Sequence, residues 1–503
     1  MSNKPQNNHT GLKVVLILLI LVMIAASGLM IWLCIDLVNT PSTPSLDQSH
    51  ANTDLAERPV SGAPQPEGSL PPETTLPPET TLPPEPEKVI ATATISTQGD
   101  LLMHQPVFIT CQKGGVYNFE SLFRYTTELI SSYDFALANL ETTFGGDKYK
   151  YQGNPEFNCP DPLAQSVKEA GYDMLLTANN HAADTRADGI VRTVEVVREA
   201  GLYTLGTQLN GEEPKYTIVD VNGIKIGMVC YTYAYSHNGD KFSLNGLAPI
   251  PDVGTVNFFM NNNLPKLYSE VEAIMADMKA NGAEATMMFI HWGVEYQTTE
   301  NKTQNAIAQK LCDIGFDVIV GGHPHVVQPM ELLESTLDPS HKTVCIYSLG
   351  NAVSNQRTGY SSLFPAGYTE DGVLFTVTFE KYSDGKVYIA GTEAIPTWVN
   401  MHTTNGVKEY NILPLQDSRR DEWRDLFHLS DNTLALCEKS YNRTMGIVGE
   451  GMESCRSYLT QAKIDREAMY LDMAQNPSKY AVQTPAEPLP AETTPEETLA
   501  PAA

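Results

Sequence analysis

ATMMFIHWG (285–293) joins an apolar strand directly to a histidine, and DVIVGGHPH (317–325) joins another to a pair of histidines. Four further segments end an apolar run in polar residues: IATATISTQGD (90–100), FALANLE (135–141), DMLLTANNH (173–181) and TVCIYSLGN (343–351). Stretches suited to helices lie between them, at 118–131, 161–171, 187–200, 266–281 and 303–314. Strands that alternate with helices predict βαβ units around a largely buried sheet, so the predicted class is α/β.

The later part of the chain has a different pattern. The VNGI sequence (221–224) predicts a hairpin turn, and 373–399 predicts a second hairpin that closes the sheet. Residues 416–475 predict two helices around a glycine-rich break at 446–451. They belong to a predicted helical extension at 401–480, which follows a main domain at 89–400.

The two ends of the chain predict an anchored exterior protein. Residues 14–35 carry no charge and are long enough to cross a bilayer, so 12–38 is predicted to be a transmembrane signal anchor with 1–11 in the cytoplasm. A cleaved signal peptide is the alternative. Residues 39–88 contain LPPETT repeats and predict a disordered stalk, and 481–503 predict a disordered acidic tail. The predicted location is therefore the cell membrane, with the bulk of the chain outside.

The net charge limits the possible binding partners, and the cysteines limit the possible disulfides and metal sites. The 503 residues carry a formal charge of −27, which disfavours nucleic acid as a partner. The ends carry −5 and −4, so residues 89–480 keep −18. In an oxidising compartment Cys111 could pair with Cys159, and Cys437 with Cys455. The sequence has no CxxC motif, so a cysteine zinc site is not expected.

The polar residues at the strand ends form a candidate site. In α/β sheets ligands bind beyond the carboxyl ends of strands, so these side chains are expected to meet at one rim. Carboxylate, amide and imidazole groups together suit Zn, Mn or Fe. Asp100, Glu141, Asn180 and His291 could each equally be a turn former, a helix cap, a solvated carboxylate or a packed histidine. The pair His323 and His325, two positions apart on a glycine-flanked loop, favours metal binding. The seven candidates are Asp100, Glu141, Asn180, His181, His291, His323 and His325.

Six motifs in this series resemble the CapA family of poly-γ-glutamate capsule synthesis proteins. They are GDLLMH (99–104), NLE (139–141), NNHAAD (179–184), HWGVEY (291–296), GGHPHVVQ (321–328) and YSLGN (347–351). The resemblance covers roughly residues 92–355. It implies a calcineurin-like, metallophosphoesterase-like fold, a layered α/β/β/α sandwich.

The resemblance also implies roles for individual residues. Asp100 would bind a first cation, Asn180 a second, and Glu141 would stand where the superfamily has a bridging aspartate. His291, His323 and His325 would complete the ligand set, and His181 would be the catalytic acid or transition-state stabiliser. Further possible ligands or substrate contacts are His104, Asp184, Arg186, Glu295 and Asn351.

Two departures from the family pattern bear on the metal count. The superfamily usually has Asp-x-His in the first motif, but here the third residue is Leu102, and His104 is the possible substitute. The bridging residue is the longer Glu141. One or two divalent cations are therefore expected.

Three functions follow as hypotheses. The first is a metal-dependent hydrolase or transferase that acts on phosphoester or γ-glutamyl substrates in capsule synthesis or export. The second is a non-catalytic assembly or export factor with the same fold, and the third is a phosphatase unrelated to poly-γ-glutamate. Expected partners are an anionic polymer or phosphoester substrate, the membrane through the N-terminal helix, and capsule-synthase membrane subunits. Because the domain is acidic, an anionic polymer requires a local site with a few cations, such as Arg186.

Overall fold

The computed structural model describes residues 85–480 except 238–240, 247–248, 251–254, 365 and 405. The chain divides into two units, Met1–Thr80 and Thr81–Ala503, and all described residues belong to the second. The predicted anchor (12–38), most of the stalk and the predicted tail lie outside the described residues. Within the described ranges, no helix has the length and apolar character needed to span a membrane.

Two eight-stranded sheets form the centre of the fold. The strands are β1 Val89–Leu101, β2 Gln112–Lys113, β3 Val116–Tyr117, β4 Phe135–Asn139, β5 Met174–Leu176, β6 Tyr203–Leu205, β7 Tyr216–Val221, β8 Ile224–His237, β9 Lys241–Ser243, β10 Phe258–Met260, β11 Ala285–His291, β12 Val318–Gly322, β13 Val327–Glu334, β14 Lys342–Leu349, β15 Asn351–Val353, β16 Asp371–Tyr382, β17 Val387–Thr404 and β18 Val407–Pro414. The first sheet has the order β18-β17-β16-β1-β4-β5-β6, with β15 on β1. The second has the order β10-β8-β11-β12-β14-β13, with β7 and β9 on β8.

Helices cover both outer faces of this pair of sheets. The helices are α1 Gln105–Thr110, α2 Glu120–Phe123, α3 Thr127–Ile130, α4 Pro162–Glu169, α5 Arg186–Glu199, α6 Leu264–Ala280, α7 Lys302–Ile314, α8 Trp423–Leu426, α9 Asp431–Gln475 and α10 Pro477–Tyr480. One core cluster lies between the sheets, a second under α1, α2 and α4, and a third under α6 and α7. The described residues thus form helix, sheet, sheet and helix layers, and the predicted α/β class is confirmed.

The strands that carry the candidate site run in parallel. β1, β4 and β5 are parallel neighbours in the first sheet, and β8, β11, β12 and β14 are parallel neighbours in the second. FALAN forms β4 over the residues expected, and the hairpin predicted at 221–224 joins β7 to β8. The carboxyl ends of these strands therefore lie together at the rim that the sequence predicts.

The structure differs from the expected helix over 118–131. Two short helices, α2 and α3, replace it. The hydroxyls of Thr126 and Thr127 donate to the carbonyl oxygen of Phe123, at 3.1 and 3.0 Å. These side chains satisfy the backbone where the helix is interrupted, which allows the break.

The C-terminal region also differs from expectation. Its first residues are strand, since β17 ends at Thr404 and β18 occupies Val407–Pro414. The break predicted at 446–451 is wrong, because α9 is continuous over 45 residues. A Cβ at Gly451 would lie 1.6 Å from the carbonyl oxygen of Met330 in β13. The glycine is there for close helix-to-strand packing, with α9 contributing Val448 and Met452 to the core between the sheets.

The described cysteines are all buried free thiols, including Cys111 and Cys159. Cys437 and Cys455 lie 18 positions apart on α9, or about 27 Å along the helix axis, too far for a disulfide. The pairing considered for these two is therefore wrong.

Candidate functional site

The seven candidate residues lie at or just beyond the strand ends. Asp100 is in β1, Glu141 follows β4, and Asn180 with His181 follows β5. His291 ends β11, while His323 and His325 follow β12. Except for His181, which has limited exposure, all are buried.

Their donor atoms form two groups that share Glu141. Asp100, Glu141 and His325 offer donor atoms within 4.8 Å of one another, and so do Glu141, His291 and His323. The Oδ1 of Asn180 lies 2.8 Å from Nε2 of His291 and adds a fourth donor to the second group. We call the first group the Asp100 half and the second, with Asn180, the His323 half.

Unpartnered buried atoms show that a cation fits this site. Among the described residues, neither carboxylate oxygen of Glu141 has a hydrogen-bond partner, and nor does Nδ1 of His323. The nearest imidazole nitrogens to Glu141 Oε1 belong to His291, at 3.4 Å, and His325, at 3.8 Å. Leaving a buried carboxylate without a hydrogen bond is costly, and a divalent cation removes that cost. The donor set of carboxylates, amide and imidazoles suits Mn, Zn or Fe.

The backbone around the site is strained. His323 has a φ of 99° and His325 a φ of 57°, both in the left-handed region that non-glycine residues rarely adopt. Tyr296 and Arg186 share this property, at 65° and 67°. A backbone conformation of this kind costs about 1–3 kcal/mol per residue, so the surrounding structure must hold it in place. Such residues cluster at active sites and ligand-binding sites. Here this conformation sets the two histidines on the rim.

The buried charges of the site shift the pKa values of its residues in different directions. Burial alone would raise the pKa of Asp100, but the hydrogen bond and charge of His325 bring that pKa below its ordinary value. Burial opposes protonation of His325, yet Glu141 and Asp100 raise its pKa to about 9. Burial and the neighbouring His291 and His325 hold the pKa of His323 well below its ordinary value. His323 is therefore a neutral imidazole, the form that binds metal.

His181 forms a dyad with Asp184. Its Nδ1 lies 2.7 Å from Oδ2 of Asp184, which also accepts from the backbone N–H of Phe157. The second oxygen of Asp184 accepts from Asn245. Burial lowers the pKa of His181, but the charge and hydrogen bond of Asp184 together with the charge of Glu141 outweigh it, and the net shift of the pKa is upward. The Phe157 ring lies edge-on to His181 at 4.5 Å and fixes its position.

The other predicted residues take varied positions. His104 lies outside the donor groups found among the described residues, and its Nδ1 accepts from the backbone N–H of Asn355 at 3.2 Å. Glu295 is exposed and forms a third donor group with His323 and His325. Asn351 places Oδ1 3.2 Å from Nδ1 of His325. Arg186 is half-exposed and pairs with Glu156 at 2.6 Å.

Several supporting residues were not anticipated. Asn139 donates to Oδ1 of Asp100 at 2.8 Å, and Asn179 donates to Asn139 at 3.2 Å. Asn139 ends β4 and so follows the same strand-end pattern that indicated the other residues. Tyr233 lies edge-on to His323 at 4.7 Å, and no motif in the sequence indicated it.

A glycine keeps the space between the two halves open. A Cβ at Gly322 would lie 3.2 Å from Oδ1 of Asp100 and 3.6 Å from Nδ1 of His291. A side chain at this position would therefore crowd donor atoms of both halves.

Comparison with known proteins places the chain in a family. Residues 94–356 match the family model of the bacterial capsule synthesis protein PGA_cap. The chain is 28% identical over 287 residues to the capsule biosynthesis protein CapA of Bacillus anthracis, covering 56% of this chain and 64% of that protein. It is also 28% identical over 292 residues to the PGA biosynthesis protein CapA of Bacillus subtilis (strain 168), covering 56% and 69%. The chain thus spans less than two thirds of the length of the first relative.

A solved structure gives a weaker likeness. The NAD nucleotidase NadN of Haemophilus influenzae has a TM-score of 0.37 and 13% identity, over 70% of this chain and 67% of that one. A score of this size does not establish a shared fold. The family model, by contrast, covers more than half of the 503 residues and contains all six motifs. The resemblance predicted from those motifs is confirmed: the chain belongs to the CapA family of bacterial capsule synthesis proteins.

Proposed function

We propose that the chain is a divalent-metal-dependent hydrolase or transferase in capsule biosynthesis, on a metallophosphoesterase-like fold. Its substrate carries a phosphoester or a γ-glutamyl bond. The observation that carries this proposal is the buried Glu141 carboxylate, which has no hydrogen-bond partner among the described residues and is shared by two groups of donor atoms. A purely structural carboxylate in such a position would be expected to have hydrogen-bond partners.

The proposed ligands divide between the two halves. Glu141, Asn180, His291 and His323 would hold one cation, and Asp100 with His325 would hold a second that shares Glu141. Bound divalent cations supply Lewis-acid stabilisation of the charge that develops on a phosphoryl or tetrahedral acyl centre.

His181 is the proposed proton donor to the leaving oxygen. Asp184 holds its Nδ1, which leaves Nε2 as the nitrogen for proton transfer. The buried Asp184 carboxylate also stabilises the charged imidazole, as the raised pKa of His181 indicates. The Phe157 ring restricts the imidazole to one orientation.

The proposed setting is the outer face of the cell membrane. The apolar segment at 14–35 and the charge pattern around it support a single-pass anchor with the catalytic domain outside. Capsule-synthase membrane subunits would be its neighbours there. Protease treatment of intact cells checks this location: the domain should be digested, and its survival would contradict an external position.

The test of the reaction uses the purified full-length chain with Mn²⁺, Zn²⁺ or Fe²⁺. Phosphoester and γ-glutamyl substrates are compared, and turnover should disappear with EDTA and in His323→Ala. His341→Gln is the matched control, because His341 precedes β14 at the end of the strand opposite the site. Turnover that survives in His323→Ala, or no metal binding by the wild type, would contradict the proposal.

One observation favours a second function, a non-catalytic assembly or export factor. Leu102 stands where the superfamily has a histidine, so the Asp100 half has one imidazole fewer than a complete two-metal site. An assembly factor would still support capsule formation in cells after His323→Ala or Glu141→Gln. Loss of capsule in variants that remain folded would exclude it.

A further inference from the structure

His104 lies beside the candidate site but belongs to neither half of it nor to the dyad. It follows the carboxyl end of β1, four residues after Asp100, and directly precedes α1. Its ring is edge-on to Phe157, with the ring centroids 5.2 Å apart. The same Phe157 ring contacts His181 with the centroids 4.5 Å apart. One aromatic ring thus contacts both His104 and the proposed proton donor.

The backbone groups around Nδ1 of His104 determine where its ring proton lies. Nδ1 is 3.2 Å from the backbone N–H of Asn355 and 3.2 Å from the carbonyl oxygen of Leu102. The Asn355 N–H can only donate, and among the described residues Nδ1 is its one partner. The Leu102 carbonyl already accepts from the backbone N–H of His104 at 2.8 Å. All of these backbone groups are satisfied when Nδ1 is an unprotonated acceptor, which places the proton of the neutral ring on Nε2.

The structure behind Asn355 holds this arrangement in place. Tyr410 of β18 is fully buried, and its hydroxyl donates to the side-chain oxygen of Asn355 at 2.6 Å. On the other side of His104, a Cβ at Gly153 would lie 2.9 Å from the Cα of His104. The loop that carries Phe157 therefore packs closely on His104, and the ring is held from both sides.

The ring of His104 suits hydrogen-bond donation better than metal binding. Burial is the main cause that lowers its pKa to about 3, and the charges of His325 and His181 lower it further, so the ring is neutral at physiological pH. A histidine that binds a metal usually donates its other ring N–H to an oxygen acceptor, whereas Nδ1 here accepts from an N–H group. Nε2 makes no hydrogen bond with the residues that the structure describes, and His104 is partly exposed. Its N–H is therefore available to a ligand.

We propose that His104 binds the substrate through Nε2–H, as a neutral hydrogen-bond donor to an oxygen of the phosphoryl or acyl group that reacts. This inference rests on the proposed function and gives two histidines different tasks, since His181 transfers a proton and His104 keeps its own. A donor that is already oriented stabilises the negative charge that develops on such an oxygen without reorganisation.

The test compares two substitutions that each replace one nitrogen of the ring. In His104→Asn the side-chain oxygen takes the place of Nδ1 as acceptor for Asn355, but no atom reaches the place of Nε2. In His104→Gln the longer side chain brings an amide N–H to the place of Nε2, but the acceptor for Asn355 is lost. Calorimetry measures binding of inorganic phosphate to the full-length chain loaded with Mn²⁺. The Kd for phosphate should rise about tenfold or more in His104→Asn and less than about threefold in His104→Gln.

Manganese binding separates this role from that of a metal ligand. Both variants should bind Mn²⁺ with an affinity within about threefold of the wild type, and His341→Gln should leave phosphate binding unchanged. Loss of Mn²⁺ in either variant would show that His104 is a ligand. A weaker effect of Asn than of Gln would show that the ring only supports Asn355. Either result, or no phosphate binding by the wild type, would overturn the proposal.

Two further measurements keep the result decisive. Phosphate binding needs no turnover, so a chain that binds phosphate in the expected pattern but hydrolyses no substrate contradicts the proposed reaction alone. If thermal unfolding shows that a variant is misfolded, ¹⁵N-histidine NMR of the wild-type full-length chain gives the protonation of His104 directly. The ring should remain the neutral Nε2–H tautomer from about pH 5 to about pH 8. An Nδ1–H tautomer or a charged ring in this range would also overturn the proposal.

Discussion

The two halves of the candidate metal site differ in how their donor atoms are already used. In the Asp100 half, Asp100 accepts from Asn139 at 2.8 Å and lies 3.1 Å from Nδ1 of His325. Nδ1 of His325 also contacts Asn351. In the His323 half, Nδ1 of His323 and the shared Glu141 have no hydrogen-bond partner among the described residues. A cation in the first half would displace the bonds of both Asp100 and His325. In the second half it would displace the contact between His291 and Asn180 and would supply a partner for His323.

This difference predicts unequal metal affinity. The His323 half offers four donors, counting Asn180 and Glu141, whereas the Asp100 half offers three. We therefore expect one tight and one weak cation per chain.

The largest effect is expected for His323→Ala. It removes a neutral imidazole from the half that we expect to bind tightly, and affinity should fall about 1000-fold, which corresponds to about 4 kcal/mol. Calorimetric titration of the full-length chain with Mn²⁺ measures this. His341→Gln should leave both affinities unchanged. A loss of affinity of less than about tenfold in His323→Ala would contradict the claim that the His323 half binds the cation more tightly.

The second effect concerns the support behind the Asp100 half. Thr369 accepts from Asn351, the neighbour of His325, and Arg443 of α9 donates to Asp371 and Gly367 on either side of Thr369. Burial raises the pKa of Asp371 to about 6, although Arg443 and Ser440 bond to it. The folded chain thus holds this proton more tightly than the unfolded one. The protonated Asp371 therefore stabilises the folded chain. This contribution to the free energy of unfolding is complete below about pH 4 and is lost as the pH rises through about 6.

Asp371→Asn removes this dependence. Between about pH 4 and pH 7, the free energy of unfolding of the wild type should fall relative to the variant by up to about 3 kcal/mol. Urea denaturation across this pH range gives the difference curve. A wild type that gains stability relative to the variant over the same range would show that the sign is wrong.

Asp100→Asn tests the metal affinity of the Asp100 half. It removes the carboxylate that only the Asp100 half uses, so the weak binding step should lose about 30-fold, or about 2 kcal/mol. The tight step should change by less than about threefold. The same titration resolves both steps, and an equal loss in both would mean that the halves do not act separately.

The smallest effect is expected for Leu102→His. Leu102 is buried, follows the last residue of β1 two positions after Asp100, and is outside the four hydrophobic clusters, so an imidazole here would replace a side chain that none of those clusters contains. The weak step should gain about tenfold, or about 1.4 kcal/mol. Leu102→Met is the size-matched control without a nitrogen ligand. An unchanged weak step would show that the missing histidine does not limit this half.

Much of the layout could be predicted because it depends on local pattern. Apolar runs such as FALAN and ATMMFI match their strands closely, and parallel strands bring their carboxyl ends to one edge. The division of the donors into halves could not be predicted, since it depends on how the first sheet packs on the second. Helix was predicted over 416–475, but the continuity of α9 was missed because its glycines suggested a break, whereas Gly451 is required for contact with Met330.

The residues that support the site could not be predicted for the same reason, because their contacts depend on tertiary structure. Asn139 is separated from Asp100 by 39 positions, and only the pairing of β1 with β4 brings them together. Tyr233 contacts His323 from a strand whose sequence reads simply as buried core. Long-range contacts of this kind leave no spacing signal within a single sequence.

Diffraction from crystals of the full-length chain grown with Mn²⁺ tests the central claim most directly. Anomalous maps at the manganese edge should show a strong peak among Glu141, Asn180, His291 and His323, and a weaker one beside Asp100 and His325. No peak at Glu141, or a strong peak only in the Asp100 half, would contradict the account.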